Sequence, residues 1–531
     1  MKPARPVEHP THRHPMHRFL GENLGELGDT TKPLQNNAFW APSREALCFW
    51  LLFGLGSLFR LRQYLAYLSF WNDEAALALN LSTRGFAQLL HPLTHGQVAP
   101  IAFCWIEKVS MLLFGPGELG LRLLPLLAGI GSLPLIYLLG RRTLGARAGL
   151  ICLGLLAVNG EAIRYAAELK PYSLDLLLAL VFLLLGWRSL YRELRPPDIL
   201  VLGVGGGVAV WLSFPVIFVL ATLGSLRALT TTSRHRGREV ATLAVIGGVW
   251  IVSFGLQWYF LGRNAVDPAL LEYWSAYFMP LPPASFADLQ WFGERFLKIF
   301  RDPLGMSPRD LVVAVFLVGC VFLYRKRLPL LLLLLMPLSF NLLASGLKKY
   351  PFGDRLLLYA LPSFLMPIAG LVSEFWSRPK PWLKLVGIAI LGVTLCKPAI
   401  QASQNLVTPR KREEMRAVLA SLSRHRHAVD AIFLYSPSGN TFRYYRDSLG
   451  LENSRVIESE VRSPETLDRL PEDLATLRGL PRVWLVFGDG WRMQGVNMEA
   501  AIVEAARKEG RQLAEFKEVG AAVYLFTFSM R

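Results

Sequence analysis

Long apolar stretches alternate with short charged segments along most of this chain. Residues 176–187, 311–324 and 328–338 contain no charged side chain at all. Together with the apolar residues around them, such stretches approach the ~20 residues that an α-helix needs to cross a bilayer. The pattern therefore predicts an α-helical polytopic membrane protein.

Applied to the whole chain, this pattern predicts about eleven membrane-spanning helices within residues 44–403. The predicted spans are 44–68, 118–140, 145–163, 172–191, 198–213, 214–230, 239–261, 309–324, 328–346, 355–375 and 383–399. A further apolar stretch, 100–114, is followed by Gly115-Pro116-Gly117. We interpret it as a juxtamembrane helix that lies along or dips into the membrane.

The pattern changes after residue 403, where the apolar runs become short and are bounded by polar residues. Short buried runs that alternate with helical stretches are typical of an α/β fold. Residues 404–531 are therefore predicted to form a soluble domain that binds, positions or covers something at the membrane. Its predicted strands are 431–435, 483–487, 511–517 and 521–527, and its predicted helices begin at Asn440 and cover 497–508.

The distribution of positive charge predicts an orientation. The formal net charge is +17, although only 18% of the residues are charged. No basic-aromatic module points to nucleic acid, and most Lys and Arg clusters fall between predicted spans, which is typical of cytoplasmic loops. We therefore expect a cell inner membrane protein with its polar, disordered tail, 1–43, in the cytoplasm and its C-terminal domain in the periplasm.

The external loops of this topology are 69–117, 262–308 and 346–355, together with the short turn 164–172. The loop 262–308 is rich in Trp, Tyr and Phe, which suits either an interfacial lid or a membrane anchor. The other three segments carry clustered charges. Since these clusters share one side of the membrane, they are the candidates for chemistry.

The first of these segments contains Asp73-Glu74 directly after a predicted span. A carboxylate at the interface stays ionised yet is partly desolvated, and this suits a general base. The alternative is a solvated cap in which both residues favour the N-terminus of a helix at 74–83.

The second segment contains Arg164, Glu168, Lys170 and, one turn into the next span, Asp175. Arg164 and Glu168 lie on one helical face. Ionisable residues at membrane depth usually pair or line a cavity. Structural pairing of Glu168 with Arg164 or Lys170 is the alternative to a functional role.

The third segment contains Lys348, Lys349 and Arg355, which run against the positive-inside trend. An anionic partner at the outer leaflet explains them, and a phosphate head group is the natural one. Arg355 has the planar geometry to bind phosphate through two N–H groups. Lipid anchoring is the alternative.

Taken together, these segments resemble the glycosyltransferase C superfamily, in particular its family 39-like membrane enzymes. That group includes protein O-mannosyltransferases and the lipid A aminoarabinose transferase. The resemblance covers roughly residues 44–375. It is carried by Asp73-Glu74 after the first span, the stretch 97–105, Arg122-Leu123-Leu124-Pro125 followed by Gly140-Arg141-Arg142, and the stretch 168–174, where Lys170 stands in place of the commoner Arg.

The resemblance implies an inverting transfer of a hexosyl or pentosyl group from a polyprenyl-phosphate donor at the outer face of the membrane. The acceptor hydroxyl would belong to a glycan, a lipid or a protein. Asp73 would be the general base, with Glu74 assisting. Arg355, with Lys170 or a lysine of the 348–349 pair, would offset the negative charge of the lipid phosphate.

Further residues of these segments are expected to support the site, and no cofactor is required. The supporting residues are Glu168, Tyr172, Arg164, Asp175, Gln97 and His95. A divalent metal is an optional addition, for which Glu74, His91 and His95 offer ligands.

Two other functions stay open at this point, namely a flippase or transporter for a lipid-linked saccharide and a non-catalytic membrane scaffold. Transporters place charges near the bilayer midplane and often contain paired repeats. Here the unusual charges lie at one interface and no repeat is found, which favours the enzyme.

Overall fold

The computed structural model describes residues 44–230, 236–262, 268–488, 492–493 and 495–528. The predicted cytoplasmic tail, 1–43, lies outside these residues. The described chain consists of a helical membrane domain followed by an α/β domain.

The membrane domain is built from helices that we number in chain order. They are α1 Arg44–Leu65, α2 Asn72–Thr83, α3 Ile101–Phe114, α4 Glu118–Leu121, α5 Leu123–Leu144, α6 Ala146–Ala157, α7 Gly160–Tyr165, α8 Tyr172–Leu190, α9 Pro196–Leu212, α10 Val216–Thr230, α11 Arg236–Gln257, α12 Pro268–Tyr273, α13 Phe286–Arg301, α14 Arg309–Lys326, α15 Leu328–Gly346, α16 Leu361–Ser377 and α17 Pro381–Val407. Every predicted span overlaps at least one of these helices, and the predicted juxtamembrane stretch corresponds to α3. The span 118–140 is divided between α4 and α5, and the span 145–163 between α6 and α7.

Six helices among the described residues are long and apolar enough to cross a membrane. They are Leu123–Leu144, Tyr172–Leu190, Gly237–Leu261, Leu328–Gly346, Asp354–Ser377 and Pro381–Val407. The apolar helices α6, α9 and α10 are shorter. The polytopic helical architecture is therefore confirmed, whereas the number of spans, about eleven, stays a prediction.

Small residues allow the membrane helices to approach one another closely. A Cβ atom on Gly319 of α14 would lie 2.5 Å from the carbonyl oxygen of Pro367 in α16. A Cβ atom on Gly149 of α6 would lie 2.8 Å from the carbonyl oxygen of Tyr137 in α5. Close backbone approach at small residues is a major source of helix association in membranes, where apolar burial drives packing only weakly.

A buried arginine closes the end of one of these helices. Arg60 of α1 is fully buried and donates to the carbonyl oxygens of Leu156 at 3.1 Å and Ala157 at 3.3 Å. The last carbonyls of a helix lack partners within it, and here the Leu156 carbonyl also accepts from the N–H of Asn159 at 3.3 Å. Arg60 thereby anchors the chain just before α7 and the turn 164–172.

The C-terminal domain contains a five-stranded mixed sheet with the order β2-β1-β3-β7-β6. Its elements are α18 Met415–His425, β1 Ala431–Leu434, α19 Gly439–Arg446, β2 Arg455–Glu458, α20 Leu470–Ala475, β3 Val483–Phe487, β4 Arg492–Met493, β5 Val496–Asn497, α21 Met498–Glu509, β6 Arg511–Glu518 and β7 Ala521–Thr527. Strand β1 pairs in parallel with β2 and β3, whereas β7 pairs antiparallel with β3 and β6. The predicted α/β class and all of the predicted strands are confirmed.

The two domains share a continuous apolar core beside the first external segment. Phe70, Ala75 and Leu77 belong to the same buried cluster as Leu419 of α18 and Phe442 of α19. The C-terminal domain is therefore packed on the start of α2, the helix that carries Asp73.

The contact between α14 and α16 can be tested at Gly319. We expect Gly319→Val to lower the free energy of unfolding by about 1–3 kcal/mol, since the added carbons need the Pro367 carbonyl to move. Gly392→Val in α17 is the control, because a Cβ atom there has no neighbour within 4 Å. Thermal unfolding of both purified variants measures the difference, and equal melting temperatures would contradict the proposed close contact.

Candidate active site

Asp73 lies in the first turn of α2, directly after α1 and the short connection that follows it. An acidic residue in this position interacts favourably with the free N–H groups and the dipole of the helix. Both acidic residues lie in the first turn, as the capping alternative predicted, but Glu74 is fully buried, so the cap is not a solvated one. The partners of Asp73 come from distant parts of the chain, and the capping alternative does not include them.

Three of the predicted external segments meet at Asp73. Its Oδ2 atom lies 3.0 Å from Nη2 of Arg355 and 4.0 Å from Nζ of Lys170. The Asp73 side chain is 24% exposed, whereas that of Lys170 is only 8% exposed. The candidate base is thus placed between two candidate phosphate-binding cations, in a site that retains access to solvent.

These cations control the protonation of Asp73. Burial alone would raise the pKa of Asp73, but neighbouring positive charges, led by Lys170 and Arg355, outweigh it. The pKa of Asp73 is therefore held below its ordinary value of 3.8. Asp73 is a carboxylate at neutral pH, as a general base requires.

Lys170 is held in place by a residue from the segment that leads into α3. Its Nζ atom donates to Oε1 of Gln97 at 2.7 Å. Gln97 also donates to the backbone oxygen of His95 at 3.4 Å, while the His95 side chain is exposed. Of these two predicted supporting residues, Gln97 therefore contacts Lys170, a cation of the site. His95 is connected to Lys170 only indirectly, because its backbone oxygen accepts from Gln97.

Glu74 points into the protein and has partners that occupy both of its carboxylate oxygens. It is fully buried and accepts from Arg122 at 2.9 and 2.6 Å and from the backbone N–H of Leu169 at 2.5 Å. This geometry corresponds to a structural ion pair that joins the first external segment to α5 and to the turn 164–172. It leaves the assisting role in catalysis that the family resemblance implied for Glu74 without a contact to support it.

Glu168 also has a structural environment. Its carboxylate accepts from Nε of Arg164 at 2.6 Å and from the indole N–H of Trp71 at 3.2 Å. Burial alone would raise the pKa of Glu168, but the neighbouring arginines, led by Arg164, together outweigh that effect and lower the pKa. The pairing with Arg164 that the sequence left as an alternative is the one observed.

Tyr172 and Asp175 lie in the first turn of α8, and both are buried. The Tyr172 ring packs edge-on against Tyr165, with 5.0 Å between the ring centroids. Within the described part of the chain, Oδ1 of Asp175 has no hydrogen-bond partner. Asp175 is thus a buried ionisable residue about one turn into the helix that corresponds to the predicted span 172–191, as the sequence predicted.

The three basic residues of the third external segment separate in the structure. Arg355 pairs with Asp73, whereas Lys348 and Lys349 are exposed. The Lys349 ammonium group lies 5.2 Å from the ring centroid of Trp258. An aromatic ring at this distance suits a membrane-anchoring lysine, so the geometry favours Arg355 over the 348–349 pair as the cation of the site.

The aromatic loop 262–308 packs on this third segment. The backbone oxygen of Tyr277 accepts from the N–H of Phe352 at 2.9 Å, and Lys298 pairs with Asp354 at 3.0 Å. The guanidinium of Arg355 lies 5.4 Å from the ring centroid of Trp274. The described part of the loop therefore borders the site, and its role as a lid stays a prediction.

The sequence interpretation missed one charged residue of this site, Arg412. Its guanidinium lies 3.2 Å from the ring centroid of Trp71, and it contributes to the lowered pKa values of both Asp73 and Glu168, where burial acts in the opposite direction. Arg412 belongs to the linker after α17, far from Trp71 in the chain. Three consecutive basic residues, 410–412, on the predicted outer side were the available signal.

The optional metal site is not formed. Among the described residues, no group of three or more His, Cys, Asp and Glu side chains has a metal-binding arrangement. Glu74 is bound to Arg122, while His91 and His95 are exposed. The three residues suggested as ligands therefore do not converge.

Comparison with known families bears on the central part of the membrane domain. Residues 98–258 match the family described as dolichyl-phosphate-mannose-protein mannosyltransferase. This match covers less than a third of the chain, and over that range it confirms the resemblance to protein O-mannosyltransferases. The matched range contains α3 and the turn with Glu168 and Lys170. Asp73, Gln97 and Arg355 lie outside it.

Solved structures with a similar chain path include ArnT and an oligosaccharyltransferase. ArnT from Cupriavidus metallidurans, bound to undecaprenyl phosphate, has a TM-score of 0.50 at 13% identity, covering 90% of this chain and 97% of that one. Its apo state has a TM-score of 0.49 at 12% identity, covering 90% and 98%. The Archaeoglobus fulgidus oligosaccharyltransferase with Zn and sulfate has a TM-score of 0.49 at 11% identity, covering 90% and 73%. The likeness to ArnT shows a shared fold, and comparison with curated proteins gave no match.

The structural interpretation of Glu74 can be tested with Glu74→Gln. Loss of its charge leaves Arg122 buried without a counter-ion, so we expect stability to fall by about 3–5 kcal/mol. Thermal unfolding in detergent measures the loss. The double variant Glu74→Gln/Arg122→Met is expected to recover part of it, since neither charge then remains. A stable Glu74→Gln protein that has lost sugar transfer would instead support a direct role for Glu74 in catalysis.

Proposed function

We propose that this protein is an inverting glycosyltransferase that moves a sugar from a polyprenyl-phosphate donor to an acceptor hydroxyl at the outer face of the membrane. The observation that carries the proposal is the position of Asp73, which lies 3.0 Å from Arg355 and 4.0 Å from Lys170. A carboxylate and two cations at one site provide the base and the phosphate contacts that this reaction needs.

The choice of donor rests on chemistry and on likeness. Arg355 and Lys170 offer charge-assisted hydrogen bonds to an anionic group near the membrane interface. The family matched by residues 98–258 is named for a dolichyl-phosphate-mannose donor, and ArnT, which shares the fold, was solved with undecaprenyl phosphate. A polyprenyl phosphate is the donor carrier that accounts for all of these facts.

In the proposed reaction, Asp73 takes the proton of the acceptor hydroxyl as its oxygen attacks the anomeric carbon. The bond between that carbon and the phosphate oxygen breaks, and its electron pair stays on the departing lipid phosphate. One displacement on the face opposite the leaving group inverts the anomeric configuration. The negative charge that grows on the phosphate meets Arg355 and Lys170, which stabilise the transition state more than the ground state.

The ion pairs at Asp73 connect donor binding to activation of the base. In the structure, Asp73 is the anion that Arg355 and Lys170 contact. A donor phosphate competes for the same cations, which frees the carboxylate and adds a negative charge beside it. Both changes raise the pKa of Asp73 and make it a stronger base once the donor is bound.

The proposed orientation places this site in the periplasm, with the N-terminus in the cytoplasm and the C-terminal domain outside. It follows from the clusters of Lys and Arg between the predicted spans. A glycan, a lipid or a protein at that face is the acceptor. Membrane lipid is a further partner, and the exposed Lys348 and Lys349 are placed to contact its head groups.

The role of Asp73 as base is tested by Asp73→Asn. We expect sugar transfer to fall by a factor of about 10²–10⁴, because the amide cannot accept the proton. Donor binding and thermal stability are expected to persist. The measurement is transfer from a panel of polyprenyl-phosphate sugars by the purified protein in lipid. Asp310→Asn, at a carboxylate that is 79% exposed on α14, is the matched control.

Two results would count against this proposal in different ways. Undiminished transfer by Asp73→Asn removes Asp73 from the reaction but leaves the enzyme class intact. A wild-type protein that neither binds, hydrolyses nor transfers from any polyprenyl-phosphate sugar removes the donor class.

The dependence of rate on pH provides a separate test of the ion pairs at Asp73. Because the pKa of Asp73 is held below 3.8 in the free protein, kcat/KM should not fall with acidification until below that pH. With donor bound, the phosphate charge raises that pKa, so the acid limb of kcat should lie at higher pH than that of kcat/KM. Steady-state kinetics between about pH 4 and pH 8 should therefore show no acid limb of kcat/KM, whereas the acid limb of kcat is shifted toward this range. An acid limb of kcat/KM near pH 6 assigned to Asp73 would contradict the observed ion pairs.

A further inference from the structure

The linker between α17 and α18 is fixed to the membrane domain beside the site. Gln63 of α1 donates to the backbone oxygen of Arg410 at 2.9 Å and accepts from its N–H at 3.0 Å. The backbone N–H of Asn72 donates to Oε2 of Glu413 at 2.8 Å. Since Asn72 precedes Asp73, the linker is attached to the chain immediately next to the candidate base.

The soluble domain holds the same linker from the other side. The N–H of Glu414 donates to the backbone oxygen of Val519 at 2.9 Å, in the turn between β6 and β7. The next residue, Gly520, has φ +69°, and a Cβ atom there would lie 2.0 Å from the backbone oxygen of Arg412. The turn therefore rests directly on the backbone of Arg412, so both domains determine where this residue lies.

The side chain of Arg412 extends from this fixed backbone onto Trp71. Its guanidinium carbon is 3.2 Å from the centroid of the Trp71 ring, and that of Arg355 is 5.5 Å from the same ring. Trp71 is only 5% exposed. Two guanidinium groups thus converge on one buried indole, two residues before Asp73.

A guanidinium stacked on an aromatic ring is well suited to hold an anion. Stacking uses the face of the planar group, whereas the N–H donors of a guanidinium lie in its plane. The charge of Arg412 also acts on the site, because it contributes to lowering the pKa of Asp73 and of Glu168 against the effect of burial.

We propose that Arg412 is a third cation of the donor-phosphate site, supplied by the linker and set in place by docking of the soluble domain. This inference rests on the proposed function, since its ligand is the phosphate of the lipid-linked donor. It gives the soluble domain a definite role, because the membrane domain without the docked linker has Lys170 and Arg355 but lacks Arg412.

The test compares phosphate-lipid binding by the full-length protein and three variants. Undecaprenyl phosphate is titrated against wild type, Arg412→Met, Arg412→Lys and Lys411→Met in uncharged detergent. Lys411 is the matched control because it is the adjacent basic residue, is exposed and pairs with Glu518 of the soluble domain at 3.5 Å. Inorganic phosphate in a parallel titration distinguishes a lipid-borne phosphate from a free one.

We expect Arg412→Met to weaken binding of undecaprenyl phosphate about tenfold, through loss of charge-assisted hydrogen bonds. Arg412→Lys should lie between this variant and wild type, because it keeps the charge but loses the planar, stacked geometry. Lys411→Met should match wild type. A purely structural role for Arg412 predicts no such rescue by lysine. Equally tight binding of inorganic phosphate, with the same dependence on Arg412, would support the cation and assign it to free phosphate.

Wild-type affinity in Arg412→Met, or equal weakening in Lys411→Met, overturns the inference. If Arg412→Met does not fold, Arg412→Lys decides, and a folded lysine variant with wild-type affinity then overturns it. Failure of the proposed function is distinguishable, since in that case the wild-type protein itself binds no polyprenyl phosphate and transfers no sugar from any of them.

Discussion

The buried ion pair between Glu74 and Arg122 is the interaction on which the arrangement of this site depends. Glu74 lies in the first turn of α2, Arg122 precedes α5, and the same carboxylate receives the backbone N–H of Leu169. A buried carboxylate needs a counter-charge and several donors to be tolerated. By meeting that need from two distant segments, Glu74 fixes the position of its neighbour Asp73 relative to Lys170.

Adjacent carboxylates thus have opposite roles because their environments differ. Glu74 is fully buried and saturated with partners, whereas Asp73 keeps some exposure and contacts cations that a ligand can compete for. An ion pair open to competition is suited to binding an anion, and a saturated pair is suited to holding a fold. In the proposed reaction, the bilayer brings the lipid-linked donor to these cations.

The C-terminal domain is part of this arrangement. It shares an apolar cluster with α2, and its linker is bound by Gln63 and Asn72 on one side and by the β6–β7 turn on the other. A displacement of this domain would therefore act on Trp71, which carries Arg412 on its ring and donates to Glu168.

Hydrophobic periodicity alone determined the helical membrane domain, the α/β class of the C-terminal domain and the approximate positions of the apolar helices and of four strands, because these depend on local patterns of burial. The same reading selected Asp73, Lys170 and Arg355, since charges at one membrane interface are conspicuous against an apolar background. Only the tertiary structure decided which charges meet. It assigned Glu74 to Arg122 and Glu168 to Arg164, left Lys348 and Lys349 at the surface, separated the suggested metal ligands and added Arg412. Ion pairing depends on distances of a few ångströms between residues hundreds of positions apart, and no local pattern in a single sequence encodes those distances.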